Sequence, residues 1–218
     1  MIRKMLVIAA AVAMPVSVIA ATAGPAAAVT KVNATNYTVT CTAIAATATF
    51  SPKLTNTATA ASPEKTKIAG SVTKCTATPT TGGAAVKLSK GTVSGTITNA
   101  SSTHTCAGLT TPTTETGSLK VTWTTIPAGT LLTATSTAFP TTVTGGAGGN
   151  GRATFTIAFS HVTGSFQGSD SGASSTSDAQ TTTTAASIFT TCGKSTGLTS
   201  IKIQADTNSG HGNAIHLG

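Results

Sequence analysis

Residues 154–159 read TFTIAF, so that large apolar side chains alternate with smaller ones. This period of two places Phe155, Ile157 and Phe159 on one face of an extended strand and the smaller side chains on the other. Threonine is β-branched and prefers the pleated, half-buried setting of a strand. Because roughly a quarter of the chain is threonine, we expect many strands of this kind.

The same alternation recurs along the chain. It is strong in residues 37–43, 119–123 and 201–204, and weaker in 68–72 and 93–97. Turn-forming residues separate these stretches at 62–64, 79–83, 127–129 and 145–151. Many short strands with such turns predict an all-β fold, either an antiparallel sandwich or a partly closed barrel.

Three segments depart from plain alternation. The apolar phase changes near Ala45 and near His161, which predicts bulges or bends in those two strands. Residues 185–192, from Ala185 to Cys192, have adjacent apolar side chains and precede Gly193, a pattern that favours one short helix. Residues 168–177 are rich in Gly, Ser and Asp and are predicted to form a mobile surface loop.

The N-terminus has the features of a secretory signal. Arg3 and Lys4 precede a long uncharged stretch, and small residues follow it. We expect cleavage after Ala28, with Ala23 as the alternative, so that 1–28 is a signal peptide and 29–218 a single disulfide-stapled β domain. A membrane anchor is the competing interpretation, but Pro15 interrupts the apolar run. The mature chain has no other stretch that could be a transmembrane segment, and we expect it to be secreted or associated with the cell envelope.

Four cysteines lie in the mature chain, and in an oxidising compartment this predicts two disulfides with three possible pairings. Cys41 and Cys75 are about equally far from a loop near Ala58, as cross-strand partners in a hairpin would be. That pairing is favoured and leaves Cys106 to bond Cys192.

Charge gives only weak information about partners. The formal net charge of +8 includes Arg3 and Lys4, so the mature chain carries +6, spread over scattered lysines. The chain has no basic run and few aromatic residues, which argues against nucleic acid as a partner. A diffuse positive field favours weak attraction to anionic cell-envelope polymers; the alternative is that the charge only keeps the protein in solution.

Residues 193–197 read GKSTG and match parts of two motifs. The segment does not match the end of a phosphate-binding loop, because Ile188 stands where that motif needs glycine. As a nucleophile elbow it would use Ser195 with Asp206 and either His211 or His216, which follow in the required order. Since no alternating strand–helix pattern precedes it, a secreted serine hydrolase is kept only as an alternative.

Two other candidate sites are better explained as ordinary loop structure. Residues 146–151 have the spacing of a dinucleotide-binding loop but lead into a strand, which favours a hairpin loop. His211 and His216, with Asp206 or Asn208, lack the spacing of a helical zinc pair. We therefore predict no catalytic residue, cofactor or metal.

Acidic residues are scarce in the mature chain. All five are expected in loops or near turns, without an obvious pair, which argues against glycosidase chemistry: Glu64, Glu115, Asp170, Asp178 and Asp206. Trp123 alternates with Leu119 and Val121 and is expected in the core.

Several short patterns together resemble a loose group of small exported actinobacterial β-rich proteins of unknown function. They are the signal peptide, Phe50-Ser51-Pro52, a cysteine closing the second strand, Gly95-Thr96-Ile97, Val121-Thr122-Trp123, residues 164–168 and the segment 192–201. The resemblance covers most of the mature chain and implies a β fold and export. The group carries no catalytic motif that could be transferred.

Three functions follow as hypotheses. The first is a non-enzymatic exported β protein with a binding or structural role at the surface or envelope. The second is the hydrolase using Ser195. The third is a small-ligand carrier with a cavity inside a barrel; a cavity lined by Phe155, Ile157 and Phe159 would favour it, and tight packing of these residues would oppose it.

Overall fold

The computed structural model describes residues 28–57, 63–99, 105–168, 175–206 and 214–218. Apart from Ala28, the predicted signal peptide lies outside the described residues. The elements in chain order are β1 (Tyr37–Leu54), β2 (Lys65–Pro79), β3 (Val86–Asn99), a 3-10 helix (Cys106–Thr110), β4 (Thr113–Thr125), β5 (Thr135–Ala147), β6 (Arg152–Gly164), β7 (Thr176–Thr184), α1 (Ala185–Cys192), β8 (Leu198–Ala205) and β9 (Ile215–Leu217).

The strands form one antiparallel sheet that closes on itself. Their order is β2-β3-β4-β5-β6-β7-β8-β1-β9, and β1 also pairs with β2. The β1–β2 hairpin is long, running from the pair Tyr37↔Pro79 to the pair Ser51↔Lys65. Strands β1 to β8 therefore make a closed ring, and β9 pairs with β1 at Val39–Cys41, beyond the part of β1 that pairs with β8. The predicted all-β fold with barrel-like closure is confirmed.

Helix α1 occupies the predicted residues, Ala185–Cys192. Thr184 precedes it with extended backbone, and its hydroxyl accepts a hydrogen bond from the Ser187 backbone N–H at 3.3 Å, as an N-cap does. Gly193 ends the helix, and Ile188 and Cys192 are buried. Of the apolar cluster in the sequence, Ile188 and Cys192 form the inner face of the helix, whereas Ala186 and Phe189 are exposed.

Both predicted changes of phase are present. Strand β1 buries Tyr37, Val39 and Cys41 and then Ala46, Ala48 and Phe50, so the buried positions change from odd to even. Strand β6 buries Phe159 and then Val162, and its register with β5 shifts opposite Phe139 and Pro140. An extra residue in one strand turns the following side chains to the other face.

Two predicted loops are shorter than expected. Residues 169–174 of the predicted 168–177 loop lie outside the described residues, but Thr176 and Ser177 belong to β7, where Ser177 is buried. The prediction was wrong there because this strand has little apolar content. The predicted turn at 145–151 begins only after Ala147, where β5 ends.

The structure contains both predicted disulfides. Cys41 and Cys75 are direct cross-strand neighbours in the β1–β2 hairpin, with Cα atoms 4.0 Å apart. Cys106 at the start of the 3-10 helix bonds Cys192 at the end of α1. The second bond joins two segments that lie outside the ring of strands.

Candidate functional site

One end of the ring interior is filled by large side chains. We call this the packed end. Trp123 is buried, as predicted, and meets Phe166 edge to face with ring centroids 5.2 Å apart. The indole N–H donates to Ser136 Oγ at 2.8 Å, and the Tyr37 hydroxyl donates to the Ala84 carbonyl oxygen. Each polar atom of the aromatic residues is thus hydrogen-bonded where it is buried.

The other end of the interior encloses a cavity of about 90 Å³ that is partly open to solvent. We call this the hollow end. Each of the eight ring strands contributes at least one lining side chain. The apolar lining residues of the strands are Ala48, Phe50, Ile68, Ile97, Val143, Phe155, Ile157, Ala179, Ile201 and Ile203. Phe155 and Ile157 therefore line the cavity, as the carrier hypothesis requires, whereas Phe159 is buried elsewhere in the core.

The 3-10 helix Cys106–Thr110 covers the hollow end. Leu109 and Gly108 line the cavity, and the Cys106 N–H donates to the Thr55 carbonyl oxygen at 3.2 Å. The helix approaches β5 so closely that a Cβ on Gly145 would lie 2.0 Å from the Leu109 carbonyl oxygen. Glycine is therefore needed at position 145 for the 3-10 helix to pack against β5. The Cys106–Cys192 disulfide links the 3-10 helix to α1.

Polar side chains also line the cavity, at the ends of β2, β3 and β4. Glu64 immediately precedes β2, Asn99 ends β3, and Glu115 lies near the start of β4, paired with Asn99 in the β3–β4 register. The Asn99 N–H donates to the Glu64 carbonyl oxygen at 2.9 Å. The two glutamates are 9% and 8% exposed, so the hollow end holds two buried carboxyl groups on neighbouring chain segments.

Each carboxylate accepts a hydrogen bond from a threonine two residues away. Thr66 Oγ1 donates to Glu64 Oε1 at 3.0 Å, and Thr113 Oγ1 donates to Glu115 Oε1 at 2.7 Å. Burial raises the pKa of Glu115 above its ordinary value, the bond from Thr113 lowers it, and the charge of Glu64 raises it. The net effect is a raised pKa, because desolvation disfavours the charged carboxylate most strongly.

This pair corrects the expectation that the acidic residues do not come together. The alternation in the sequence could have predicted that Glu115 is buried. Leu119, Val121 and Trp123 are buried on β4, and Glu115 is an odd-numbered residue on the same face of that strand. On β2 the buried Ile68 shares its face with Thr66 and Glu64. Extending each inward-facing series by a few residues would have found both carboxylates.

The residues proposed for a hydrolase do not form a site. Ser195 is exposed, and its backbone oxygen accepts a hydrogen bond from Lys53 Nζ at 2.8 Å. His216 lies in β9 within hydrogen-bonding distance of Thr40 Oγ1, at 2.9 Å. Thr40 and Lys53 are separated by about 40 Å along β1, at roughly 3.3 Å per residue. Ser195 and His216 are therefore at opposite ends of the ring, and His211 lies outside the described residues.

The remaining motifs fall in ordinary structure. The glycine-rich segment 146–151 closes the β5–β6 hairpin and leads into a strand, as predicted. Asp206 is buried at the end of β8, and Asn208 lies outside the described residues. Among the residues that the structure describes, no group of three or more His, Cys, Asp or Glu could hold a metal ion.

The chain matches no protein family, curated protein or solved structure with which it was compared. Within the described ranges, no helix is long and apolar enough to cross a membrane.

Proposed function

We propose that this chain is an exported protein that binds a small, largely apolar molecule at the hollow end of its ring. The observation that carries the proposal is the cavity of about 90 Å³, enclosed by side chains from all eight ring strands. Rings of about eight strands leave an interior that side chains fill or that holds one small ligand. A dry cavity of about 150 Å³ holds the six carbon atoms of benzene, so the volume of about 90 Å³ holds about four non-hydrogen atoms.

The energetics favour a ligand at the hollow end. A ligand that enters this partly open cavity removes its apolar wall from solvent, which the hydrophobic effect favours. A ligand that fills it restores the missing contacts with Phe50, Phe155 and their neighbours. The wall combines a mostly apolar surface with a few polar groups, which is the usual composition of small-molecule sites.

Location outside the cytoplasm is part of the proposal. It rests on the signal-like N-terminus and on the two disulfides, which persist in oxidising compartments. The lysines scattered over the outer surface are compatible with weak attraction to anionic envelope polymers, and that attraction stays a prediction. The binding role proposed here belongs to the interior of the ring.

The test is a titration of the isotope-labelled mature protein, residues 29–218, with 1-butanol, followed by amide NMR shifts. We expect saturable shifts at Phe50, Ile68, Phe155 and Ile201 and none at Trp123 or Phe166. The control variant Ala48→Leu places a larger side chain in the cavity wall and should abolish the saturable shifts while the spectrum stays folded. Shifts that rise linearly without saturation, or that persist unchanged in Ala48→Leu, would contradict the proposal.

A further inference from the structure

Three of the four large apolar side chains that are exposed in the described part of the chain lie at the packed end. Ile126 and Leu132, which are 57% and 61% exposed, belong to the connection between β4 and β5. Val29 precedes a short segment that pairs with this connection, since Val32 forms a β-bridge with Leu131. Exposed apolar residues gathered in one region mark contact with another surface, whereas single scattered ones are normal.

Two neighbouring loops at the packed end carry no charged residue. Residues 80–85 between β2 and β3 read TTGGAA, and residues 126–134 between β4 and β5 read IPAGTLLTA. The loops lie side by side, because the Ile126 N–H donates to the carbonyl oxygen of Lys87, two residues after the first loop, at 2.9 Å. We call these two loops the tip. Since the tip has no ionised side chain, placing it in an apolar environment does not require a charge to lose its water.

Lysines lie directly behind the uncharged tip. Lys87 and Lys90 are near the start of β3, and Lys31 immediately precedes Val32. All three lysines are exposed. The acidic side chains in the described part of the chain are buried, so none of them offsets these lysines at the surface. The packed end therefore presents apolar side chains at its tip and positive charge around them.

This combination distinguishes between classes of partner. A soluble anionic polymer attracts the lysines but offers no apolar phase to Ile126 and Leu132. A second copy of this chain, docked through the same face, would bring lysines against lysines, which like-charge repulsion disfavours. An anionic bilayer offers hydrocarbon to the apolar side chains and charged headgroups to the lysines, whose long stems can extend toward them.

We infer that the tip of the packed end docks on the surface of an anionic phospholipid bilayer. Ile126 and Leu132 enter the boundary between headgroups and acyl chains, and Lys87 and Lys90 contact the phosphate groups. Contact of this kind is peripheral and reversible. It leaves the hollow end directed away from the bilayer, so this inference does not depend on the ligand proposed there.

The test measures binding of residues 29–218 to vesicles of phosphatidylglycerol and phosphatidylcholine in equal amounts, and to vesicles of phosphatidylcholine alone. The apolar stretch 5–23 is left out because it would itself partition into lipid. We expect saturable binding to the anionic vesicles, weaker binding to the neutral ones, and release in about 1 M salt, where charges are screened beyond about 3 Å. Trp123 is the only tryptophan of the chain and lies at the packed end, so lipids brominated on their acyl chains should quench its fluorescence.

Matched pairs of variants locate the contact. Leu132→Ser should weaken binding to the anionic vesicles about tenfold or more, because a large apolar side chain is no longer withdrawn from water. Phe189→Ser removes an exposed apolar side chain from α1, near the hollow end, and should bind as the wild type does. Lys87→Gln should weaken binding about fivefold, whereas Lys67→Gln removes the same charge near the hollow end and should have little effect.

Three results would overturn the inference. The first is that Leu132→Ser binds vesicles as the wild type does, or that Phe189→Ser weakens binding equally. The second is binding to soluble polyphosphate as tight as to vesicles and unaffected by Leu132→Ser, which would make an anionic polymer the partner. The third is a dimer in solution that Leu132→Ser disperses, without vesicle binding, which would assign the tip to a second copy of this chain. The binding of 1-butanol at the hollow end is measured separately and is unaffected by any of these results.

Discussion

The two ends of the ring use the same strands and the same alternation, yet one is full and the other is hollow. At the packed end a Cβ on Gly91 would lie 2.6 Å from Val121 and 2.8 Å from the Trp123 ring, so not even a methyl group fits. At the hollow end the same sheet encloses about 90 Å³. The difference comes from side-chain volume, because Trp123 and Phe166 fill one end while the wall of the other includes Ala48 and Ala179.

The two ends also differ in how their polar groups are treated. At the packed end, the buried indole N–H and phenol O–H donate to acceptors within the protein. At the hollow end, the carboxyl groups of Glu64 and Glu115 are buried, and burial raises the pKa of Glu115. The packed end thus combines filled volume with hydrogen-bonded polar groups, whereas the hollow end combines a cavity with buried carboxyl groups.

The largest expected contrast comes from removing one phenylalanine at each end. Phe166→Ala should lower the free energy of unfolding by about 3–5 kcal/mol, the usual cost for a fully packed aromatic side chain. Phe155→Ala should cost about half of that, because one side of its ring already faces empty space and has fewer contacts to lose. Urea unfolding of the oxidised proteins measures both. Equal losses at the two ends would remove the distinction between them.

Substitutions that add side-chain volume at each end should give a smaller difference in stability between the two ends. Ala138 is buried beside Leu119 and Val162 at the packed end, and Ala138→Leu should destabilise by about 1–3 kcal/mol through overpacking. Ala48→Leu points the same added volume into the cavity and should change stability by less than about 1 kcal/mol, with either sign. Thermal unfolding of the pair is sufficient. A loss in Ala48→Leu as large as that in Ala138→Leu would mean that the cavity cannot accept a side chain.

The smallest expected effect on stability comes from the charge of Glu115 and depends on pH. Because the folded-state pKa of Glu115 is raised, its contribution to stability is present below the ordinary value of 4.5 and is lost as pH rises through the folded-state pKa. Glu115→Gln cannot ionise, so it should be more stable than the wild type at neutral pH, and this advantage should shrink to a constant offset in acid. Denaturant midpoints across the pH range test this. An advantage that grows as pH falls would contradict the sign of the shift.

Much of the fold follows from local pattern in the sequence. Alternation located the strands whose inner face is apolar, and the adjacent apolar residues at 185–192 located α1. The changes of phase near Ala45 and His161 were readable for the same reason, since an apolar series changes parity there.

The start of strand β7 was not predicted from the sequence, because the buried face of this strand is polar. Asp178, Gln180 and Thr181 are buried, and their partners come from distant residues: Thr156 Oγ1 donates to Asp178 at 2.7 Å, and Asn150 Nδ2 donates to Gln180 at 2.7 Å. Hydrogen bonds of this kind allow polar residues inside but leave no local pattern. Alternation placed Phe155 and Ile157 on one face of β6, and both line the cavity, but the volume of the cavity depends on how eight strands close and could not be predicted.

The most direct test of the hollow end is a crystal structure of residues 29–218 under xenon pressure, since xenon enters dry apolar cavities. We expect one bound xenon atom between Phe50, Phe155 and Ile201, and none beside Trp123 and Phe166. A hollow end filled by protein side chains, with no xenon bound there, would contradict the division of the ring into a packed and a hollow end.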